Sequence, residues 1–288
     1  FFNHEICVCA HLTQTRYAQR TCAEMEINMK ASRIADTTVT YIILIAVCFI
    51  FFFPCLWLIL ASFSKSGSIY SFDGFFPSSY SLDTFKMLFT DTAMYNYPQW
   101  FRNTLFIATM SCLIGTFLTV LTAYTMSRFQ FKSRKAMMKT TLILGMFPSF
   151  MGMIAVYIIM TQFGLINKMW GLILIYSANA PMGYLTQKGF FDTIPSSIDE
   201  AARIDGASRM RVLLHILLPL VVPGLVAVGI YTFLNAWDDY LMALTIMKSN
   251  EMRTLPVGIA QSFLGEYSND YGGLMAFAVA GSLPIVLL

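Results

Sequence analysis

The residue types that bind metals are concentrated near the start of the chain, at His4, Cys7, Cys9, His11 and Cys22. Thiolate and imidazole groups of this kind hold zinc, but structural zinc sites use paired ligands at set spacings, which this segment does not show. We therefore expect no metal site in this chain. We expect residues 1–28 to be a non-native or disordered extension, with the native start at Met25 or Met29.

A second candidate is a polar segment that lies between apolar stretches, at about 190–211, which we call the EAA loop after its Glu-Ala-Ala run. Its candidate contact residues are Glu200, Ala201, Ala202, Asp205 and Gly206. Small side chains on a helix allow another protein to approach closely. The sequence predicts a short helix along the membrane surface, a turn at Gly206, and then an ascending helix.

The ends of that short helix have recognisable signals. Ser196 or Ser197, followed three residues later by Asp199 or Glu200, predicts a capping box at its start. Gly206 supplies the left-handed residue that ends such a helix. A second helix is then expected to begin near Ser208 and to run straight into an apolar span.

Polar side chains inside apolar spans are the candidates for a solute path, and they are Asn179, Tyr231 and Asn235. Amides in such spans either line a path or make hydrogen bonds between helices. A separate segment at 265–272 offers Tyr267, Asn269 and Asp270 between glycines. Carboxylates and amides pair with sugar hydroxyls, and aromatic rings cover apolar sugar faces. This loop is either a contact segment of that chemistry or a solvated turn.

The bulk composition indicates a membrane protein. The chain is 57% hydrophobic and only 12% charged, against about 25% charged for a soluble domain. Six stretches are long and apolar enough for about 20 residues each across a bilayer, at about 39–63, 103–127, 140–162, 170–187, 212–236 and 272–288. None of them contains Asp, Glu, Lys or Arg. The net charge of +3 gives no reason to expect nucleic-acid binding.

The basic residues predict the orientation of these spans. The segment after the second span has five and no acid, at Arg128, Lys132, Arg134, Lys135 and Lys139. The EAA loop carries Arg203, Arg209 and Arg211, and Lys188 comes just before it. By the positive-inside rule, the amino terminus and the EAA loop face the cytoplasm. The segment 128–139 is expected to face anionic membrane lipid.

Some chemistry is missing from the sequence. There is no GxxxxGK[ST] phosphate-binding loop, so we do not expect the chain to hydrolyse ATP. The spans carry no acid that would serve the proton relay of an ion-coupled secondary transporter. The energy for transport is therefore expected from a partner.

The EAA loop resembles a known signature. Glu200-Ala201-Ala202, Gly206, Ile216 and Leu218-Pro219 match the EAA signature of ABC importer permeases at every defined position. From about 103 to 288 the chain also resembles the carbohydrate branch of that family, similar to the second permease subunit of maltose-class importers. The stretches that carry this likeness are NTLFIA, AYTMSRFQF, LILGMFPSFM, GFFDTIPSSIDEAARIDGA, LPVGIAQSF and SLPIVLL.

The resemblance implies an all-α membrane protein in which 29–288 forms a six-transmembrane-helix bundle with a cytoplasmic coupling helix. It implies a bacterial inner-membrane location, a second homologous permease, two ATPase subunits that bind ATP and magnesium, and an extracytoplasmic solute-binding protein. No cofactor is expected in this chain itself. Family members usually extend further than Leu288 does here, so a longer native chain is expected.

The favoured function is the permease subunit of a sugar or oligosaccharide importer that works by alternating access. An importer of glycerol phosphate, a polyol or an acidic sugar is the alternative within the same architecture. An ion-coupled secondary transporter and a structural membrane partner are the alternatives from other classes. The EAA loop argues against both, because it would have no purpose without an ATPase.

Overall fold

The structure is a computed structural model that describes residues 16–64, 79–90, 96–178, 181–263 and 271–288. Within them, the side chains of 16–36, 149, 181 and 182 are not described. The described backbone is almost entirely helical, and its β contact is an isolated antiparallel bridge between Ser64 and Tyr80. This confirms the predicted all-α class. The chain divides into two compact units, Phe1–Ile59 and Leu60–Leu288.

The first unit contains most of one long helix, α1, which runs from Arg16 to Ser62. Its part Thr37–Ser62 is apolar enough and long enough to cross a membrane. Residues 16–28, which the sequence analysis assigns to an extension, are helical as the beginning of α1. The metal-binding residue types at 4–11 lie outside the described residues.

The second unit is built from shorter helices around one long one. In chain order they are α2 Asp83–Thr90, α3 Tyr97–Arg128, α4 Arg134–Gly145, α5 Met153–Gln162, α6 Met169–Ala178, α7 Pro181–Asp192, α8 Ser196–Ile204, α9 Arg209–Val212, α10 Leu218–Leu220, α11 Val222–Asp238, α12 Leu241–Ile246, α13 Leu255–Phe263 and α14 Tyr271–Leu287. Two 3-10 turns, Ser149–Gly152 and Asn250–Met252, and one π-helical segment, Leu213–Leu217, connect some of them.

Helix α3 is the central element of this unit, because α6, α7 and α11 all pack against it. Small side chains allow the close approach that helices need when there is no hydrophobic force between them in lipid. A Cβ at Gly115 would lie 3.2 Å from the Thr232 methyl group on α11 and 3.6 Å from Ser177 Cα on α6. The position therefore brings three helices together.

The N-terminal end of α3 is tied to the chain that follows α12. The Trp100 indole N–H donates to the Asn250 carbonyl at 3.0 Å. The Asn103 amide donates to the carbonyl oxygens of Glu251 at 2.7 Å and Arg253 at 3.0 Å. These bonds satisfy backbone groups of an irregular segment next to a buried core, where unpaired groups would be costly.

The membrane-spanning helices correspond in part to the predicted spans. Among the described residues, α3 and the Thr37–Ser62 part of α1 are each long and apolar enough to cross a membrane. The number rises to four if two bent pairs count as one span each, namely Arg134–Gly145 with Phe150–Gln162 and Arg209–Leu220 with Val222–Asp238. Helices α6 and α14 are apolar but shorter.

Two of the predicted spans are strongly bent and not single straight helices. The pair at 140–162 bends by 93°, and the pair at 212–236 bends by 83°. Proline is present at each bend, with Pro148 in the first and Pro219 and Pro223 in the second. Proline has no backbone N–H and its ring crowds the preceding turn, which kinks or breaks a helix.

Candidate functional site

Helix α8 begins without the predicted capping box. Its N-cap residue is Pro195, with φ −57° and ψ 137°, and no side chain caps the helix. Ser196 and Ser197 are already inside the first turn, so neither can take the N-cap role. Proline has its φ fixed near the value that a helix start requires and has no N–H to satisfy. The capping-box prediction was therefore wrong by one position.

The end of α8 confirms the predicted turn. Gly206 has φ +84°, its N–H donates to the Arg203 carbonyl at 3.1 Å, and the Ala207 N–H donates to the Ala202 carbonyl at 3.0 Å. No atom lies within 4 Å of where a Cβ at Gly206 would be. Glycine is required here by the left-handed backbone and not by lack of space.

The next helix also begins where predicted. Ser208 is the N-cap of α9, and its side chain accepts from the Arg211 N–H at 3.4 Å. Helix α8 is thus a separate short helix between two ordered ends. The candidate contact residues lie on it or directly after it.

One face of α8 is exposed and the other packs on the chain itself. Glu200, Ala201, Asp205 and Gly206 are exposed, and Ile204 is exposed to 86% although it is fully apolar. Ala202 instead is half-buried and packs against a buried core cluster. Four of the five predicted contact residues therefore share an accessible surface with Ile204, while Ala202 holds the helix to the protein.

The cluster under α8 joins α3, α7 and the chain from the end of α9 onwards. Its buried members are Val120, Ala123, Tyr124, Met126, Tyr184, Phe191, Val212, Leu213, Leu217 and Val221. Besides Ala202, Ala207 packs on it from the turn. The EAA loop is therefore anchored on the C-terminal half of α3.

Polar contacts at the end of α3 add to this anchoring. Ser127 donates to the Asp192 carboxylate at 2.6 Å, which also accepts from Lys188. Arg128 donates from Nη2 to the Ile194 carbonyl at 2.9 Å, and its Nε lies 2.7 Å from Asp199 Oδ2. That last contact is an ion pair without good hydrogen-bond alignment, since Nε has no hydrogen-bond partner within the described part of the chain.

The prediction that residues 128–139 face membrane lipid is wrong for Arg128. The Arg128 side chain is only 13% exposed and Asp199 only 15%, so the pair is held inside the loop. Arg128 and Asp199 are far apart in the chain, and the sequence predicts Asp199 only as a member of a capping box. Lys132, Lys135 and Lys139 are exposed, and their contact with lipid stays a prediction.

The same network lowers the pKa of the Asp192 carboxylate. Burial acts to raise its pKa, but hydrogen bonds from Lys188 and Ser127 outweigh that effect and lower the pKa below its ordinary value. Hydrogen bonds to a charged carboxylate favour the charged form. Asp192 is therefore an anion across the neutral range.

Beyond α9 the chain changes helix type before it bends. In the segment Leu213–Leu217 the Leu218 N–H donates to the Leu213 carbonyl, five residues back, as in a π-helix. The bend at Val221 follows. Gly224 then lies against α7, where a Cβ would be 2.5 Å from Phe190 Cδ2. The predicted straight ascent into the membrane was wrong.

The predicted path residues are partly described. Tyr231, at 57% exposure, and Asn235 lie on the exposed side of α11. Asp238 is also exposed, one turn further on, and residues spaced by three or four share a helix face. Asn179 and the loop residues Tyr267, Asn269 and Asp270 lie outside the described residues.

The family model for binding-protein-dependent transport system inner membrane components matches residues 115–288. The chain is 33% identical to the galactooligosaccharides transport system permease protein of Bacillus subtilis, over 92% of this chain and 93% of the relative. It is 34% identical to the maltodextrin transport system permease protein of the same organism, over 91% and 93%. It is 32% identical to the maltodextrin transport system permease protein of Streptococcus pneumoniae, over 92% of this chain and 93% of the relative.

Among solved structures, the fold is similar to a chain of a bacterial ABC transporter involved in the import of the acidic polysaccharide alginate. The TM-score is 0.76 at 19% identity, over 89% of this chain and 94% of that one. A structure of an alginate ABC transporter in complex with its pentasaccharide-bound periplasmic protein has a TM-score of 0.65 at 16% identity, over 89% and 93%.

Proposed function

This chain belongs to the family of binding-protein-dependent transport system inner membrane components, and we propose that it is the permease subunit of an ABC importer for neutral oligosaccharides. The single observation that carries the sugar assignment is its likeness, over nine-tenths of its length, to permeases named for galactooligosaccharides and maltodextrin. Transport, and not catalysis, is the role of this subunit.

The exposed face of α11 favours a neutral solute over an acidic one. Tyr231, Asn235 and Asp238 follow one another along that face, and they offer an aromatic ring, an amide and a carboxylate. These groups suit hydroxyl-rich sugars. A phosphate or a uronic acid would call for arginine or lysine, and α11 has neither. Glycerol phosphate and acidic sugars are accordingly the weaker alternatives.

The exposed face of α8 is the proposed docking element for the ATPase. Glu200, Ala201, Ile204 and Asp205 present a small mixed surface, and the apolar Ile204 side chain has no cover within the described part of the chain. Burying an aliphatic side chain of this size contributes about 1.5–3 kcal/mol. ATP and magnesium would bind in the partner ATPase, of which two copies are proposed.

The proposed orientation has the amino terminus and α8 in the cytoplasm, because Lys132, Lys135 and Lys139 lie on the same side of the sequence-defined spans as the EAA loop. A second, homologous permease completes the path, and a solute-binding protein delivers the sugar at the opposite side. The loop with Tyr267, Asn269 and Asp270 is proposed to contact that protein.

The test is reconstitution of the chain with its partner permease, ATPase and binding protein in proteoliposomes. We expect ATP-dependent uptake of a neutral galacto- or malto-oligosaccharide, and no uptake of alginate oligosaccharide or glycerol phosphate. A matched vesicle with an ATPase that binds but does not hydrolyse ATP serves as the control. Uptake driven by an ion gradient without ATP would contradict the proposal.

A further inference from the structure

We infer that α3, and not the chain that continues directly from α8, carries the movement of α8 into the membrane, and that Arg128 is the positioning residue for this step. The inference rests on the proposed function, because it takes α8 as the docking element. It concerns a different part of the protein, namely the connection between that helix and the spans.

Three consecutive residues at the end of α3 contact the EAA loop at three separate places. Ser127 contacts Asp192, where α7 ends. Arg128 contacts the Ile194 carbonyl and Asp199, on both sides of the start of α8. The Phe129 ring lies under the guanidinium of Arg209, 4.7 Å away, where α9 begins. The loop is thus held at its beginning, its middle and its end by one helix terminus.

The direct route from α8 to the spans is interrupted. After α9 the chain passes through the π-helical segment Leu213–Leu217 and the 83° bend near Val221 before α11 starts. Helix kinks of this kind are found where the hydrogen-bond ladder is broken. A displacement applied at α8 would be absorbed in that bend.

Helix α3, by contrast, is continuous for 32 residues, and its one proline, Pro98, lies in the first turn. It packs against α6, α7 and α11, so that a shift of its end reaches all three helices together. Packed helices move as discrete bodies because interiors are close-packed. This makes α3 a stiffer connection than the route through α9 and the bend.

The guanidinium chemistry of Arg128 suits a positioning residue that holds α8 to the end of α3. Its guanidinium serves two partners in different directions, the Ile194 carbonyl through Nη2 and the Asp199 carboxylate through Nε. Lysine has a single ammonium group and cannot reproduce this fork. The Arg128 and Asp199 side chains are both largely buried. Removing either charge therefore leaves the other one poorly solvated and without its partner.

The experiment uses the reconstituted transporter and measures two rates, solute uptake and ATP hydrolysis, whose ratio reports coupling. The variants are Arg128→Lys, Arg128→Gln and Asp199→Asn, together with the exchanged pair Arg128→Asp with Asp199→Arg. Lys132→Gln is the matched control, because Lys132 is an exposed base nearby that makes no hydrogen bond or ion pair among the described residues.

We expect Arg128→Gln and Asp199→Asn to lower the solute-to-ATP ratio at least fivefold while the ATPase still co-purifies and hydrolyses ATP. Arg128→Lys should fall between them and the wild type, and the exchanged pair should recover part of the loss, because it restores the ion pair but not the hydrogen bond to the Ile194 carbonyl. Lys132→Gln should keep the wild-type ratio.

Two results would overturn the inference. One is a wild-type ratio in both Arg128→Gln and Asp199→Asn. The other is loss of ATPase binding with an unchanged ratio in the complexes that remain, which would assign Arg128 to holding the docking surface and not to transmission. Failure of the wild-type complex to couple ATP hydrolysis to uptake would instead count against the proposed function.

Discussion

The indole ring of Trp100 lies over Gly258 so closely that a Cβ at Gly258 would be 2.3 Å from two atoms of the ring. The same indole is fixed by its hydrogen bond to the Asn250 carbonyl, so it cannot move aside without losing that bond. Helix α13 can approach the start of α3 only because residue 258 has no side chain.

Replacing Gly258 by alanine should therefore destabilise the protein. Inserting a methyl group into a packed interior costs typically 1–3 kcal/mol, and we expect a loss in that range. Thermal unfolding of the purified protein, followed by size-exclusion chromatography after heating, measures it. Gly189→Ala is the control, since no atom lies within 4 Å of a Cβ there and alanine favours a helix; equal unfolding temperatures for both variants would contradict the packing argument.

The backbone at Gly206 predicts a graded series of substitutions. Because φ is +84° and the space is open, the penalty should follow left-handed propensity and not side-chain volume. We expect Gly206→Asn to keep more than half of the uptake rate and Gly206→Val to abolish transport, with both proteins present in the membrane. Asparagine visits this conformation readily, whereas a β-branched residue pays at least about 1–2 kcal/mol. Wild-type uptake by the valine variant would refute the assignment.

Ile204 should be a main contact of the docking surface. We expect Ile204→Asp to weaken ATPase binding at least tenfold, which corresponds to about 1.4 kcal/mol. Ser197→Asp adds the same charge to another exposed position of α8 and serves as the control. Affinity of the solubilised permease for the isolated ATPase, measured by titration, separates the two. A tenfold loss in both variants would point to charge alone.

Asp192 should give the EAA loop a specific dependence on pH. Its pKa is lowered in the folded protein, so its contribution is complete above its unfolded value near 3.8 and is lost as the pH falls through the lower folded pKa. With a side chain 43% exposed, solvent screening limits the contribution to about 0.5 kcal/mol. The difference in unfolding temperature between the wild type and Asp192→Asn should stay constant from pH 7 to 5 and shrink below pH 4.

The orientation can be tested by cysteine labelling in a background without native cysteines. Ser133 is exposed at the start of α4, and Ser133→Cys should resist impermeant reagents added outside intact cells. Lys248→Cys, exposed near the other ends of the spans, should be labelled from outside and is the control. The reverse pattern would invert the proposed topology.

The sequence predicted the parts of the site that depend on local backbone chemistry. Gly206 and Ser208 have conformations that neighbouring residues and residue type largely determine, and both predictions were confirmed. The helix start was missed because Pro195 and Ser196 both favour helix starts, and only one can be the cap. The role of Arg128 was missed because its partners, Ile194 and Asp199, come from a distant part of the chain and no local pattern marks them.

The bends were harder to predict for a different reason. Apolar stretches such as 212–236 satisfy the length rule for a span whether or not they are straight, and proline alone gives no angle. Pro219 and Pro223 flank the 83° turn, and Gly224 beside it packs closely against Phe190 of α7. That contact belongs to the tertiary structure.

The π-helical segment sets the rotational phase between the EAA loop and α11. A π turn holds one more residue than an α turn, and each residue of an α-helix advances the side chains by about 100°. Deleting a single residue within Leu213–Leu217 would restore the α pattern and turn everything before it by roughly that angle. Val212, now buried, would then face away from the core, against the contacts that hold the loop to the end of α3. The number of residues in this segment therefore sets which side of α9 packs on the core.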